Sequence, residues 1–205
     1  VAPGYKADLL VLDDLDKVIV RDVYKNGEKV VSDGKTLCFD MPKINDALEK
    51  KVRSSFNLPM LSSSDFDVDY NGKRKCHVIS LVDGQLLTDD LVSDIDFDCN
   101  NGIDIEHDIL KIAVIERHHN TGHIGNAFIK GIGLKEGAIA SSVAHDSHNL
   151  IVIGTNTDDM AFAANRIREL GGGIVSVKIG KVVAEMPLPI GGLMSCETAE
   201  KAAEE

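Results

Sequence analysis

Five of the seven histidines fall in two short segments: His118, His119 and His123 in ERHHNTGHIG, and His145 and His148 in SSVAHDSHN. Imidazoles change charge near neutral pH, so such groups relay protons, bind polar heterocycles, or support a metal site as outer partners. Each cluster carries groups that could tune it, Glu116 and Arg117 before the first and Asp146 and Asn149 within the second. The chemistry that fits is acid–base: Glu116 or a histidine moves the proton, Arg117 orients it, and the second cluster holds a polar ring. Spacing leaves a plainer reading open. His-x-x-His is short beside true metal signatures, and Asp146 and Asn149 could form turn bonds while both histidines face solvent. Glu116 and Arg117 could likewise pair with each other, or Arg117 with Asp146.

Both clusters sit at the ends of apolar runs. LKIAVI leads into Glu116 and Arg117, so strand alternation turns at least one of them inward. IASSVA and LIVIG flank the His145–Asn149 tetrad, which marks it as a turn at a strand edge. Two strand ends meeting in one cleft would bring the clusters together.

The elements around them are mostly strands. CHVISLV, AFIKGIGL, GIVSVKI and KVVAEMPL are strand-length, largely β-branched runs bounded by Gly, Asn and Asp. TDDMAFAANRIREL is the best helix, with Thr157 as its expected cap, Asp158 and Asp159 at its positive end, and Met160, Ala164 and Ile167 at helical spacing. A second helix, ETAEKAAEE, closes the chain. Residues 1–40 read as a small β-meander, in which Asn26-Gly27 and Asp33-Gly34 predict tight reversals. Residues 41–64 read as a linker, with Ile44, Leu48 and Val52 as one stripe of a short helix, and 65–205 as the second domain. The fold class is α+β: strand-rich, a small β-sandwich remnant followed by a mainly β domain with one or two helices.

Several function classes drop out. A formal charge of -11 without clustered Lys and Arg makes nucleic acid a poor partner. No apolar stretch approaches the ~20 residues of a spanning helix, so no membrane is expected. Cys38, Cys76, Cys99 and Cys196 lack CxxC spacing, which suits reduced thiols in the cytoplasm. Gly131, Gly133 and Gly137 do not form a dinucleotide fingerprint, and Gly171 to Gly173 read as a helix stop. There is no Gly-x-Ser-x-Gly, and Ser141 and Ser142 have no visible base or oxyanion donor. MPLPIGGLMS reads as a bent segment without chemistry of its own.

The stretch from ERHHNTGHIG through RIRELGGG, followed by KVVAEMPLPIGGLMS, closely resembles the C-terminal domain of the microbial adenine deaminases. VAPGYKADLLVL separately resembles the segment that follows the barrel in amidohydrolases, written around Gly4, Ala7 and Asp8. The resemblance implies a three-part enzyme: a metal-binding (β/α)8 barrel, a β-sandwich built from both chain ends, and the extra C-terminal domain. It implies hydrolysis of adenine to hypoxanthine and ammonia, with a divalent metal (manganese, iron or zinc) in the barrel and none held by these residues. The barrel's His-x-His is absent from the sequence, so the chain is expected to be a piece that does not deaminate adenine alone. The implied partners are adenine, the barrel and a possible second copy in a homo-oligomer. On this basis Glu116, His118, His145 and Asp146 are expected in supporting catalytic roles, and Arg117, His119, His148 and Asn149 in substrate binding. Two other readings compete: an assembly module whose histidines serve local turns, and an independent metal site of His118, His145 and His148.

Overall fold

The computed structural model describes residues 2–37, 44–68 and 70–204, and the chain divides into two compact units, Val1–Asn45 and Asp46–Glu205. The first is an antiparallel meander of β1 (Leu9–Asp14), β2 (Ile19–Lys25), β3 (Glu28–Ser32) and β4 (Lys35–Thr36), paired in chain order. Its turns fall on the dipeptides that predict them. Asn26 and Gly27 have φ of 51° and 85°, the positive pair that a two-residue hairpin of this hand requires. Cys38, read above as a reduced thiol, lies outside the described residues.

The second unit is built on an eight-stranded sheet in the order β12-β11-β9-β10-β7-β8-β5-β6. The strands are β5 (Lys73–Leu81), β6 (Thr88–Asp96), β7 (Ile109–Ile115), β8 (Ile124–Lys130), β9 (Ala138–Ser141), β10 (Leu150–Gly154), β11 (Gly173–Lys178) and β12 (Lys181–Pro187). All neighbours are antiparallel except β5 and β8. With the helices at 46–53, 157–170 and 199–202, this is the strand-rich α+β class expected.

Helix α2 (Thr157–Leu170), numbered after α1 (Asp46–Arg53), covers one face of the sheet. Its Met160, Ala163, Ala164 and Ile167 pack on Ala113, Ala138, Ala140, Val152 and Val175, all buried. These positions share a face because Val152 lies opposite both Ala113 and Ala140, and Val175 opposite Ala140. The cap of α2 is Asn156 and not Thr157: the Asn156 side chain accepts the Asp159 N–H at 2.8 Å, and Thr157 is already helical. Asp159 does more than favour the positive helix end. Its carboxylate accepts the N–H groups of Ile179 (3.1 Å) and Gly180 (2.7 Å), tying the helix to the β11–β12 turn. The closing helix α3 (Ala199–Ala202) occupies part of its expected span.

Two features differ from the sequence reading. Within residues 41–64 the short helix expected forms as α1 (Asp46–Arg53), but Leu58 and Leu61 are buried in the core under α2, and the 3-10 turn Ser63–Phe66 seats Phe66 there too. Lys111 Nζ donates to the Phe66 carbonyl at 2.5 Å and Asn126 Nδ2 to that of Asp65 at 3.0 Å, so the stretch is fastened to β7 and β8. Strand β6 had no counterpart in the sequence reading, because TDDLVSDID is half acidic. Its inward positions Leu91 and Ile95 nonetheless meet the cluster of Val78, Phe97 and Phe128. Among the described residues no helix is long and apolar enough to cross a membrane.

Candidate functional site

The antiparallel pairing of β7 with β10 brings the two histidine clusters to one end of the sheet. Ile115 lies opposite Leu150, so Glu116 and Asn149 emerge side by side. The loop 116–123 joins β7 to β8, and the loop 142–149 joins β9 to β10. Two direct bonds close the distance between them: Arg117 Nε donates to the His148 carbonyl at 2.6 Å, and His118 Nε2 to the Ser147 carbonyl at 2.9 Å. A carbonyl only accepts, so Nε2 of His118 is the donor in this bond.

Glu116 is consumed by its own loop. Its carboxylate accepts the N–H groups of His118, His119 (2.8 Å) and Thr121 (3.1 Å) and the Thr121 hydroxyl (2.9 Å). Burial works to raise its pKa, but these four donors outweigh that and hold the carboxyl at about 2. At neutral pH Glu116 is therefore an ionised anchor of the loop with its lone pairs engaged, a poor proton acceptor.

Arg117 is the inward-facing member of the pair, 2% exposed. Neither ion pair raised by the sequence is formed, with Glu116 or with Asp146; its partner is the His148 carbonyl, and its guanidinium stacks 5.0 Å from the Phe56 ring centroid. Burial lowers its pKa, opposed by the charge of Glu116. Gly192 completes the slot: with φ of +73°, a Cβ there would sit 3.0 Å from Arg117 Nη1 and 3.1 Å from Phe56 Cδ2. Asn57 supports the same loop from outside, its N–H bonding the Arg117 carbonyl (2.7 Å) and its Nδ2 the His118 carbonyl (2.8 Å). Ser142, fully buried, donates to the Gly192 carbonyl at 2.6 Å and accepts the Gly173 N–H at 2.7 Å. Phe56, Asn57, Ser142 and Gly192 were not singled out as site residues, because each acts through backbone or packing and none carries a motif.

The second cluster splits into an outer and an inner pair. His145 and Asp146 form an ion pair at 3.0 Å with side chains 97% and 93% exposed, so they touch nothing else that would set their direction. His119 is exposed as well. His148 and Asn149 are half-buried, and His148 Nδ1 and Asn149 Oδ1 are buried atoms with no hydrogen-bond partner in the protein. An unpaired buried polar atom costs about 1–3 kcal/mol, so these two successive residues carry an unmet demand for hydrogen-bond partners at the loop junction. Asp146 and His148 also hold positive φ, 66° and 50°, in the same turn, a conformation that costs L-residues of order 1 kcal/mol each and persists where the surroundings enforce it.

Among the described residues no three His, Cys, Asp or Glu side chains are placed to hold a metal ion. His118, His145 and His148 therefore do not form the independent metal site considered above, and this donor set does not fit the divalent metal that the resemblance implies. A cavity of about 550 Å³ lies elsewhere, lined by Lys73, Asp94, Asp96, Asn100, Asp104 and Glu106, and holds no histidine.

Known proteins are similar to this chain along its whole length. Residues 85–205 match the family described as adenine deaminase C-terminal domain. Proteins named adenine deaminase from Lysinibacillus sphaericus (strain C3-41) and Petrotoga mobilis (strain DSM 10674 / SJ95) are 41% and 43% identical, each over 100% of this chain and 35% of their own length. That from Brucella anthropi is 43% identical over 98% of this chain and 34% of its own. The chain thus spans about a third of the length of these relatives. Both histidine clusters, Ser142 and Gly192 fall inside the family match, and the chain belongs to the adenine deaminase family as its C-terminal portion.

Proposed function

We propose that this chain is the part of a cytoplasmic adenine deaminase that closes over the purine, in an enzyme that hydrolyses adenine to hypoxanthine and ammonia. The observation that carries the reading is the junction of the two histidine loops, where His148 Nδ1 and Asn149 Oδ1 are buried without partners. Asn149 Oδ1 can only accept, so it calls for a ligand N–H; His148 Nδ1 can donate or accept. A planar heterocycle with an amino group next to a ring nitrogen supplies both. His118, bonded through Nε2 to the Ser147 carbonyl beside that junction, serves as the proton-moving group, while Glu116 and Arg117 hold the loops. His119, His145 and Asp146 form the exposed rim that would meet the catalytic part of the enzyme. The divalent metal belongs, on this reading, to the two thirds of the relatives' length that lies outside the match. The free thiols of Cys76, Cys99 and Cys196 support a reducing compartment.

The test is kinetic. In the complete enzyme, His148→Ala and Asn149→Ala should each raise KM for adenine about tenfold, the effect of losing one well-placed hydrogen bond. Wild-type kcat and KM in both variants would reduce the junction to a structural feature.

A further inference from the structure

His148 is pinned from both sides of its backbone. Its N–H donates to the Ala144 carbonyl at 2.7 Å and its carbonyl accepts Arg117 Nε at 2.6 Å, and between these two bonds the residue is held at φ 50°. A left-handed conformation at a residue with a Cβ relaxes unless something fixes it. The Ala144 bond is local to the turn. The Arg117 bond comes from the other loop, from a guanidinium held on several sides: Phe56 lies over one side, Gly192 approaches closely enough that a Cβ would sit 3.0 Å from Nη1, and the Arg117 carbonyl is itself held by the Asn57 N–H. The Nε of this buried cation is thus committed to a main-chain oxygen.

Resting on the reading above, we propose that Arg117 is a positioning residue: through the His148 carbonyl it holds the turn from which His148 Nδ1 meets an amino-substituted nitrogen heterocycle. Arg117 belongs with Gly192 and Phe56 as one device, in which the missing side chain at 192 makes the slot and the ring at 56 closes it. A ligand that loses its exocyclic amino group should then lose the benefit of Arg117, although it never touches that residue.

A double-mutant cycle in the complete enzyme tests this, with adenine KM and kcat as readouts. Arg117→Ala should raise KM about tenfold with kcat changed less than about threefold, because the ligand edge and not the reacting centre is disturbed. In a His148→Ala background the same change should add less than about twofold, since the group being positioned is gone. Arg117→Lys, which keeps a cation and an N–H donor in the slot, should recover part of the loss; it also serves as the working variant if alanine prevents folding. A merely structural Arg117 would give effects that multiply across the cycle to about a hundredfold, or a lysine variant no better than alanine, and either result overturns the proposal. If His148→Ala is itself silent, the reading of the junction as a ligand site fails first. If His148→Ala is impaired while Arg117 multiplies with it, only the positioning role fails.

Discussion

Lys111 offers a stability test of the core that carries the site. Its side chain is 0% exposed, and the bond found for its ammonium is to the Phe66 carbonyl at the end of the 3-10 turn. Burial pulls its pKa from 10.5 down to about 8, with Asp67 opposing. That difference corresponds to about 3 kcal/mol spent on keeping the charged form inside the folded protein. The sign follows from proton counting. Between about pH 8 and 10.5 the unfolded chain binds a proton that the folded one has released, so stability rises with pH across that window and is flat below it with respect to this group. Lys111→Met keeps the length and removes the charge. It should stabilise the protein at pH 7 by about 2 kcal/mol, the charge penalty less about 1 kcal/mol for the hydrogen bond lost at the Phe66 carbonyl. Urea unfolding followed by circular dichroism at pH 7, 8, 9 and 10 measures both proteins, and their difference cancels the titration of other groups. The advantage of Met should shrink steadily above pH 8, vanish at about pH 9.5 and reverse to about 1 kcal/mol in favour of Lys near 10.5. A difference that stays constant over that range would refute the claim that the ammonium is desolvated.

Two further substitutions probe the elements beside the site. Glu116→Gln removes a carboxylate whose stabilising effect is present above about pH 4.5 and lost as pH falls toward 2; the variant should flatten the acid limb of the stability profile and loosen His118 and His119, seen as faster amide exchange at both. Asp159→Asn removes the charge and puts its NH2 group against one of the two N–H donors, Ile179 or Gly180, and should cost about 2 kcal/mol in denaturant unfolding; an unchanged midpoint would mean that the β11–β12 turn does not depend on the helix.

Much of the local structure could be read from the residues, because it depends on chemistry within a few positions. The Asn26-Gly27 turn, the span of α2 and the β-branched strands are of this kind. So is the meeting of the histidine clusters, since each sits at the end of an apolar run and β7 and β10 proved to be neighbours. What escaped depends on pairing across long separations. Asn57 reaches His118 and Ser142 reaches Gly192 through carbonyl groups, which every residue has, so no side-chain pattern announces them. For Arg117 the sequence leaves an ion pair or a binding role open, and the bond it makes is to a main-chain oxygen. Strand β6 hid because four of its nine residues are aspartates and Val92 faces outward, which leaves Leu91 and Ile95 alone to mark the inward face.

Those aspartates have a consequence for how the protein behaves in a crowded solution. A border strand offers a row of unmated amide groups that invite another strand to add on. Any copy approaching β6 with its own border strand would bring Asp89, Asp90, Asp94 and Asp96 against the same four acids, of which Asp96 is offset by Lys73 and Asp90 bonds His77 on β5. The residues that erase the strand's signature from the sequence thereby keep that margin of the sheet from fusing with its twin.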